Sequence, residues 1–310
     1  MIALGIDTSN YATSLAVVDA SKGTVLAAQK QFLPVKQGEL GLRQSDAVFQ
    51  HARALPLLLD SLNSNIPLQE IHVVGASEKP RPVQGSYMPC FLAGVGFGKA
   101  FSAGANVPFY TTSHQQGHLA SALFGADTPS LLSREVLFFH VSGGTTELLL
   151  TNGHQITGDV GKSMDLYAGQ AIDRIGVRLG FSFPAGAALS ELAETCREKV
   201  SPKISVVDTN CHLSGLQNQC ERLLEDGKSP AYVACFCLTA VAKTAARMVE
   251  AARKTYPNRP VLCAGGVMAS SLIRREMQAD CTDIYFAPPE YSADNAIGVA
   301  LIAAREASDG

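Results

Sequence analysis

Val136-Leu137-Phe138-Phe139-His140-Val141-Ser142-Gly143-Gly144-Thr145 opens a segment that continues as Thr146-Glu147-Leu148-Leu149-Leu150-Thr151. It turns at Asn152-Gly153 and runs on through His154-Gln155-Ile156-Thr157. An apolar run bent at Ser-Gly-Gly, a second run, and Asn-Gly before a third spell out three antiparallel strands, because Asn-Gly readily supplies the positive φ angles of a tight hairpin. The same events occur near the N-terminus, where Ile2 to Asp7 is an apolar run closed by an acid. Thr13 to Val18 follows, then the turn Ser21-Lys22-Gly23, then Thr24 to Phe32. Each triple leads into a helical pattern. The first covers Ser45 to Leu62, and in the second Met164, Ala168, Ala171, Ile172, Ile175 and Leu179 share one face. Each half then adds a buried strand, Ile71 to Ser77 and Pro260 to Ala264. Two βββαβα halves predict a duplicated α/β protein with its ligand in a cleft between them. A single α/β domain with an antiparallel extension explains the repeat less well.

The expected halves are residues 1–112 and 113–292, with the join inside Ser113 to Arg134, a stretch that includes the Gly125–Pro129 turn. A last helix over Ala293 to Ala307, within 293–310, is expected to cross back onto the first half.

The chain has 310 residues, of which 46% are hydrophobic and 17% charged, which excludes a disordered or fibrous protein. With 25 Lys and Arg against 28 Asp and Glu, the formal charge is −3, so any nucleic acid must be held by a local patch or through a partner. The eight cysteines are scattered, as in reduced cytosolic proteins. Met1 leads straight into a strand pattern rather than a secretory signal. The longest apolar run, Ala231 to Ala242, falls short of the roughly 20 residues that a bilayer requires. A soluble, cytoplasmic protein without a membrane partner is expected.

Several stretches imitate chemistry. Gly94, Gly96, Gly98 and Lys99 fit neither a Rossmann fingerprint nor a P-loop, since Ala93 and Ala100 stand where the P-loop needs Gly and Ser or Thr. They read as a helix whose small residues permit close packing. Cys235-Phe236-Cys237 lies in an apolar helical run and reads as core. Cys211-His212 has no second pair at zinc-ribbon spacing.

Other stretches survive. His114 and His118 are four apart in a helical segment, so they share a face. They are either two ligands of one divalent metal or two histidines on a solvated face. Gln115 follows the first histidine where a zinc protease needs a glutamate base, which excludes that mechanism. Asp294 suits a third ligand or a helix N-cap. Ser142-Gly143-Gly144 is either an anion-binding bend or an ordinary hairpin. Gly265-Gly266 follows the Pro260 to Ala264 strand and precedes a helix beginning near Ala269, a geometry suited to a nucleotide.

In order and spacing, these segments resemble the TsaD family of tRNA threonylcarbamoyladenosine transferases. The resemblance runs through Gly5-Ile6-Asp7-Thr8-Ser9, His114 to His118, Ser142-Gly143-Gly144 and Gly169-Gln170-Ala171-Ile172-Asp173. It continues through Leu179-Gly180, Pro184-Ala185-Gly186, Ala264-Gly265-Gly266-Val267 and Asp294-Asn295, nearly the whole chain. It implies the actin/Hsp70-like (ASKHA) duplicated fold. It also implies one divalent metal, iron or zinc, on His114, His118 and Asp294, the three implied catalytic residues.

An adenine nucleotide (ATP, AMP or threonylcarbamoyl-AMP) is implied on Asp7, on His140, Val141, Ser142, Gly143 and Gly144, on Asp173 and Gly186, and on Gly265, Gly266 and Ser270. The implied reaction is metal-dependent transfer of a threonylcarbamoyl, or related carbamoyl, group to a tRNA adenosine. Partner proteins would present the tRNA, and a homodimer or heterodimer is implied.

The chain departs from the family pattern where a cysteine and two acids are replaced by Asn10, Tyr11 and Ala12. Thr145 replaces a histidine, Ser270 an asparagine, and Lys79-Pro80-Arg81-Pro82 a Gly-Pro-Gly turn. His140 stands where some archaeal and eukaryotic relatives carry a metal-binding tyrosine, which makes it a candidate third imidazole ligand. A divergent paralogue is indicated, with two alternatives: a carbamoyl transferase acting on a small molecule or protein, or a non-catalytic nucleotide-binding partner.

Overall fold

The computed structural model describes residues 1–34, 42–64, 66–292 and 295–309. These form two compact units. Unit 1 comprises Met1–Gly125 with the C-terminal helix; unit 2 runs from Ala126 through Ser292.

In unit 1 the strands are β1 (Ile2–Thr8), β2 (Ala12–Asp19), β3 (Thr24–Phe32), β4 (Val73–Lys79) and β5 (Phe109–Ser113). The helices are α1 (Gln44–Asn63), α2 (Phe91–Ala105), α3 (His114–Gly125) and the last, α10 (Ala296–Asp309). The sheet order is β3-β2-β1-β4-β5, with β1–β2 and β2–β3 antiparallel, and β1–β4 and β4–β5 parallel.

Unit 2 holds β6 (Glu135–Val141), β7 (Thr146–Asn152), β8 (Gln155–Lys162), α4 (Ala168–Arg178) and α5 (Gly186–Glu194). Next come the short pair β9 (Val206–Val207) and β10 (Asn210–Cys211), then α6 (Ser214–Glu225) and α7 (Pro230–Thr255). The unit ends with β11 (Val261–Ala264), α8 (Ser271–Asp280), β12 (Ile284–Phe286) and α9 (Pro289–Ser292). Its sheet, read from the far edge, is β8-β7-β6-β11-β12. Directions repeat those of unit 1: two antiparallel pairs, then two parallel ones. The halves are duplicates strand for strand, each with one parallel edge strand (β5 or β12) beyond the βββαβα pattern.

Three boundaries differ from the sequence reading. Residues 113–125 belong to unit 1, because α3 packs on α10. The chains cross where Gly117 meets Gly298, and a Cβ on Gly298 would overlap the Gly117 carbonyl. Met164 is not on α4: it precedes the helix and is 53% exposed. A 3-10 turn over Gly266–Ala269 separates β11 from α8, which starts at Ser271.

Among the described residues, α7 is the one helix long and apolar enough to cross a membrane by length and composition. Its most apolar window is 78% buried, packed among Ile172, Leu189, Leu216 and Met277 of unit 2, which is the situation of a core helix. Cys237 lies in that core and Cys235 at its margin, so the Cys-Phe-Cys stretch is packing. On α2, Gly94 and Gly98 let the helix lie against Ile6, Thr8 and Phe109.

Candidate metal and nucleotide sites

In unit 1, Ser113 starts α3 with a reciprocal cap. Its hydroxyl accepts the Gln116 N–H at 3.2 Å, and Gln116 Oε1 accepts the Ser113 N–H at 3.4 Å. The cap sets His114 in the first turn and His118 one turn later on the same face. Their Nε2 atoms come to 3.2 Å, with the rings edge to face and centroids 4.5 Å apart.

His114 Nδ1 lies 3.0 Å from Asp7 Oδ1, at the end of β1. Asp7 is 2% exposed. Asn295, just before α10, points Nδ2 at the same carboxylate oxygen at 2.8 Å and passes 2.8 Å from His114 Nδ1. Burial pushes the Asp7 carboxyl up, but the charge interaction with His114 and hydrogen bonds from His114, Ser77 and Asn295 outweigh it and hold it below its ordinary 3.8.

Two imidazole nitrogens at 2.0–2.1 Å from a tetrahedral zinc are about 3.3 Å apart. The observed 3.2 Å and the buried carboxylate behind one ring fit two ligands of a divalent metal. Asp294, the expected third ligand, lies outside the described residues, as does Ala293. Among the described residues, no three His, Cys, Asp or Glu side chains assemble a complete ligand set.

In unit 2, β6 and β11 are parallel neighbours, with Ala264 opposite His140, so the loops that follow both strands lie side by side. Val141 ends β6, and Ser142 donates its N–H to Thr145 O at 2.8 Å. Thr146 Oγ1 accepts the Ala168 N–H at 2.9 Å, tying the hairpin to the start of α4. A Cβ at Gly143 would meet nothing within 4 Å, so that backbone faces open space. Gly265 has φ +101° and sits on the Val141 carbonyl, a position that neither the backbone angle nor the space allows another residue. A Cβ at Gly266, like one at Gly143, would meet nothing.

Asp173, Gly186 and Ser270 converge on α5. Asp173 Oδ1 accepts the Ala185 N–H at 2.8 Å at that helix start, and Ser270 Oγ is 2.8 Å from Ser190 Oγ. Burial raises the Asp173 carboxyl above 3.8 against the opposing N–H groups of Ala185 and Gly186. His140 is buried, with its ring stacked on Phe138 at 6.0 Å.

Sequence reasoning missed Ser77 and Asn295 as partners of Asp7. It placed Asp7 with the nucleotide and did not anticipate its contact with His114. A contact across 107 residues leaves no local pattern; only the position of Asn295 next to Asp294 hinted at it.

Two units with one strand order, each opening on a hairpin whose end carries polar groups, define the actin/Hsp70-like (ASKHA) class. Solved structures of that class cover the whole chain. The activator of 2-hydroxyisocaproyl-CoA dehydratase from Clostridium difficile with bound ADPNP aligns at TM-score 0.58 and 16% identity, over 100% of this chain and 96% of that one. A ROK family glucokinase from Streptomyces griseus in complex with glucose and AMPPNP aligns at 0.58 and 12%, over 98% and 100%.

Within the class, the model for tRNA N6-adenosine threonylcarbamoyltransferase (TsaD) matches residues 16–301. A Thermus thermophilus protein of that name is 30% identical over 313 residues, 98% of this chain and 93% of that protein. The chain belongs to the TsaD family, a family of transferases.

Proposed function

We propose that this protein transfers a threonylcarbamoyl, or closely related carbamoyl, group from an adenylate-type donor to the exocyclic amine of a tRNA adenosine, with a divalent metal as cofactor. The observation that carries the reading is the pair of Nε2 atoms 3.2 Å apart on one capped helix turn. Family membership supports the acceptor, and the nucleotide analogues bound in neighbours of the same fold support the donor.

In this reading His114, His118 and Asp294 hold the metal. When bound there, a divalent metal supplies Lewis-acid polarisation of the carbamoyl carbonyl. The bend of Ser142, Gly143 and Gly144 would receive a phosphate at the open Gly143 backbone, with Gly266 open beside it; the Ser142 and Gly144 N–H groups are bonded within the loop, to Thr145 O and Ser142 Oγ, and hold its shape. His140, Val141, Asp173, Gly186, Gly265 and Ser270 shape and support that nucleotide site. The amine nitrogen forms the new bond to the carbamoyl carbon, the carbon–oxygen bond to phosphate breaks, AMP departs and one amine proton passes to solvent. A net charge of −3 supports delivery of tRNA by a partner, in a heterodimer or a homodimer.

A second reading, a small-molecule or protein acceptor, is favoured by the loop after Asp7. It presents Tyr11, 57% exposed, and no carboxylate from Thr8 through Thr13.

The test is calorimetry with zinc and with AMP on wild type and His118→Ala, followed by transfer assays on tRNA. Metal lost in the variant while nucleotide is retained supports the reading; wild type that binds neither refutes it.

A further inference from the structure

We propose that Asp7 is the positioning residue of the imidazole pair: it holds His114 as the Nδ1–H tautomer and so turns the Nε2 lone pair toward His118. The inference rests on the metal reading above for its use, but on hydrogen-bond geometry for its substance.

Asp7 lies at the end of the central strand of unit 1 and is 2% exposed, so bulk water does not compete for its oxygens. An ionised carboxylate only accepts hydrogen bonds. At 3.0 Å from Asp7 Oδ1, a bare His114 Nδ1 would set a lone pair against an anion in a site with little solvent screening. With a proton on Nδ1 the same contact is a charge-assisted hydrogen bond. Asn295 fits the same assignment. Its Nδ2 donates to Oδ1 at 2.8 Å, and the opposite amide orientation would press a carbonyl oxygen on the carboxylate. Asn295 Nδ2 also lies 2.8 Å from His114 Nδ1, where it would donate to a bare nitrogen; the carboxylate at 3.0 Å offers the stronger, charge-assisted bond and keeps the proton on Nδ1.

Asn295 is itself fixed, because its amide fills the notch left by Gly117, where a Cβ would overlap it. Once Nδ1 carries the proton, His114 Nε2 has no hydrogen and faces His118 Nε2 at 3.2 Å. A carboxylate, an imidazole and an open coordination direction in line is the arrangement by which a buried acid fixes ring orientation and raises ligand basicity. Phe91 packs on the His114 ring at 5.8 Å and offers no polar atom.

The test has two arms on the full chain. In metal-free protein, long-range ¹H–¹⁵N NMR reports which imidazole nitrogen is protonated. The expected result is Nδ1–H for His114 in wild type and a shift toward Nε2–H in Asp7→Ala. In the second arm, zinc is titrated against a competing chelator. Asp7→Ala is expected to bind about 10–100-fold more weakly than wild type, the range seen when such supporting groups are removed. In a His114→Ala background the same change should alter zinc affinity less than about 2-fold, since Asp7 acts through that ring. A purely structural role would not depend on His114.

Should the alanine variant fail to fold, Asp7→Asn keeps the shape without the charge and is expected to weaken zinc about 10-fold. His114 found as Nε2–H in wild type overturns the proposal, as does an Asp7→Ala loss that persists undiminished without His114. Wild type that takes up no zinc sinks the metal reading alone, and the NMR arm still decides the tautomer.

Discussion

The first hairpins of the two units share one frame and carry different loops. In unit 1 the β1–β2 ladder closes at the pair Thr8–Thr13, and in unit 2 the β6–β7 ladder closes at Val141–Thr146, so each loop has four residues. Unit 2 spells its loop Ser142-Gly143-Gly144-Thr145, mostly bare backbone with open space over Gly143. Unit 1 spells it Ser9-Asn10-Tyr11-Ala12 and pins it by one side-chain and one backbone bond: Asn10 Oδ1 accepts from Gln44 Nε2 at 2.7 Å, and the Tyr11 carbonyl accepts the Leu33 N–H at 2.9 Å.

Asp7 and His140 occupy corresponding places, one residue before the closing pair. The residue after each loop is a buried threonine whose hydroxyl ties the hairpin to the next helix. Thr13 meets His51 of α1 at 2.8 Å, and Thr146 meets the first N–H of α4. Duplication preserved the frame and the threonine anchor. The sequences diverged at the loop itself: side-chain-bearing residues follow Asp7 in one unit, and a Gly-Gly bend with open space over Gly143 stands in the other.

Breaking the frame should cost more than altering either candidate site. Gly265→Ala forces a Cβ onto the Val141 carbonyl at φ +101° and is expected to destabilise unit 2 by about 3–5 kcal/mol in urea unfolding. Gly143→Ala, on the open side of the same loop, should stay within about 1 kcal/mol of wild type and show its effect in nucleotide affinity instead.

His114→Ala is expected to lower zinc affinity by at least about 100-fold while AMP affinity changes less than about 2-fold, measured by competitive titration and calorimetry. Thr13→Val would leave the buried His51 Nδ1 without its hydroxyl partner, and should cost about 1–3 kcal/mol. Burial already draws that imidazole below its ordinary 6.5. Thr146→Val, which strips one helix-start N–H of its acceptor, should cost about 1 kcal/mol, and no measurable loss would break the parallel between the two anchors.

The smallest effect is read by pH. At Asp165, burial opposes ionisation. The Ser214 hydroxyl and the N–H groups of Leu213, Leu166 and Ser214 overcome it and bring the carboxyl down to about 2. Because the folded value is depressed, the stabilisation is present above the ordinary 3.8 and is lost as pH falls toward 2. Asp165→Asn should therefore lower the urea midpoint at pH 6 and match wild type near pH 2.

The parts of this comparison that were legible in the sequence are those written locally. Alternating strands, the Asn152-Gly153 turn and paired runs ending at Asp7 and Ser142 gave both hairpins and the duplication, though β8 runs on to Lys162, five residues past the expected Thr157. The edge strands β5 and β12 escaped notice because Phe109–Ser113 and Ile284–Phe286 are short and half-buried, with too little periodicity to register. Met164 was drawn into α4 by spacing alone; the backbone is still extended at Tyr167, so the helix starts at Ala168. The imidazole pair was legible because four-residue spacing is a helical property. Its setting was not, since Asp7, Ser77 and Asn295 meet His114 only through the parallel β1–β4 pairing and the return of α10 over Gly117.

The claim that the two hairpins divide the work is tested most directly by titrating zinc and AMP into wild type, His118→Ala and Gly143→Ala in one calorimetric series. The expected result is a crossed pattern: His118→Ala loses zinc and keeps AMP, and Gly143→Ala keeps zinc and binds AMP about 10-fold more weakly. Variants that lose both ligands together, or neither, would contradict it.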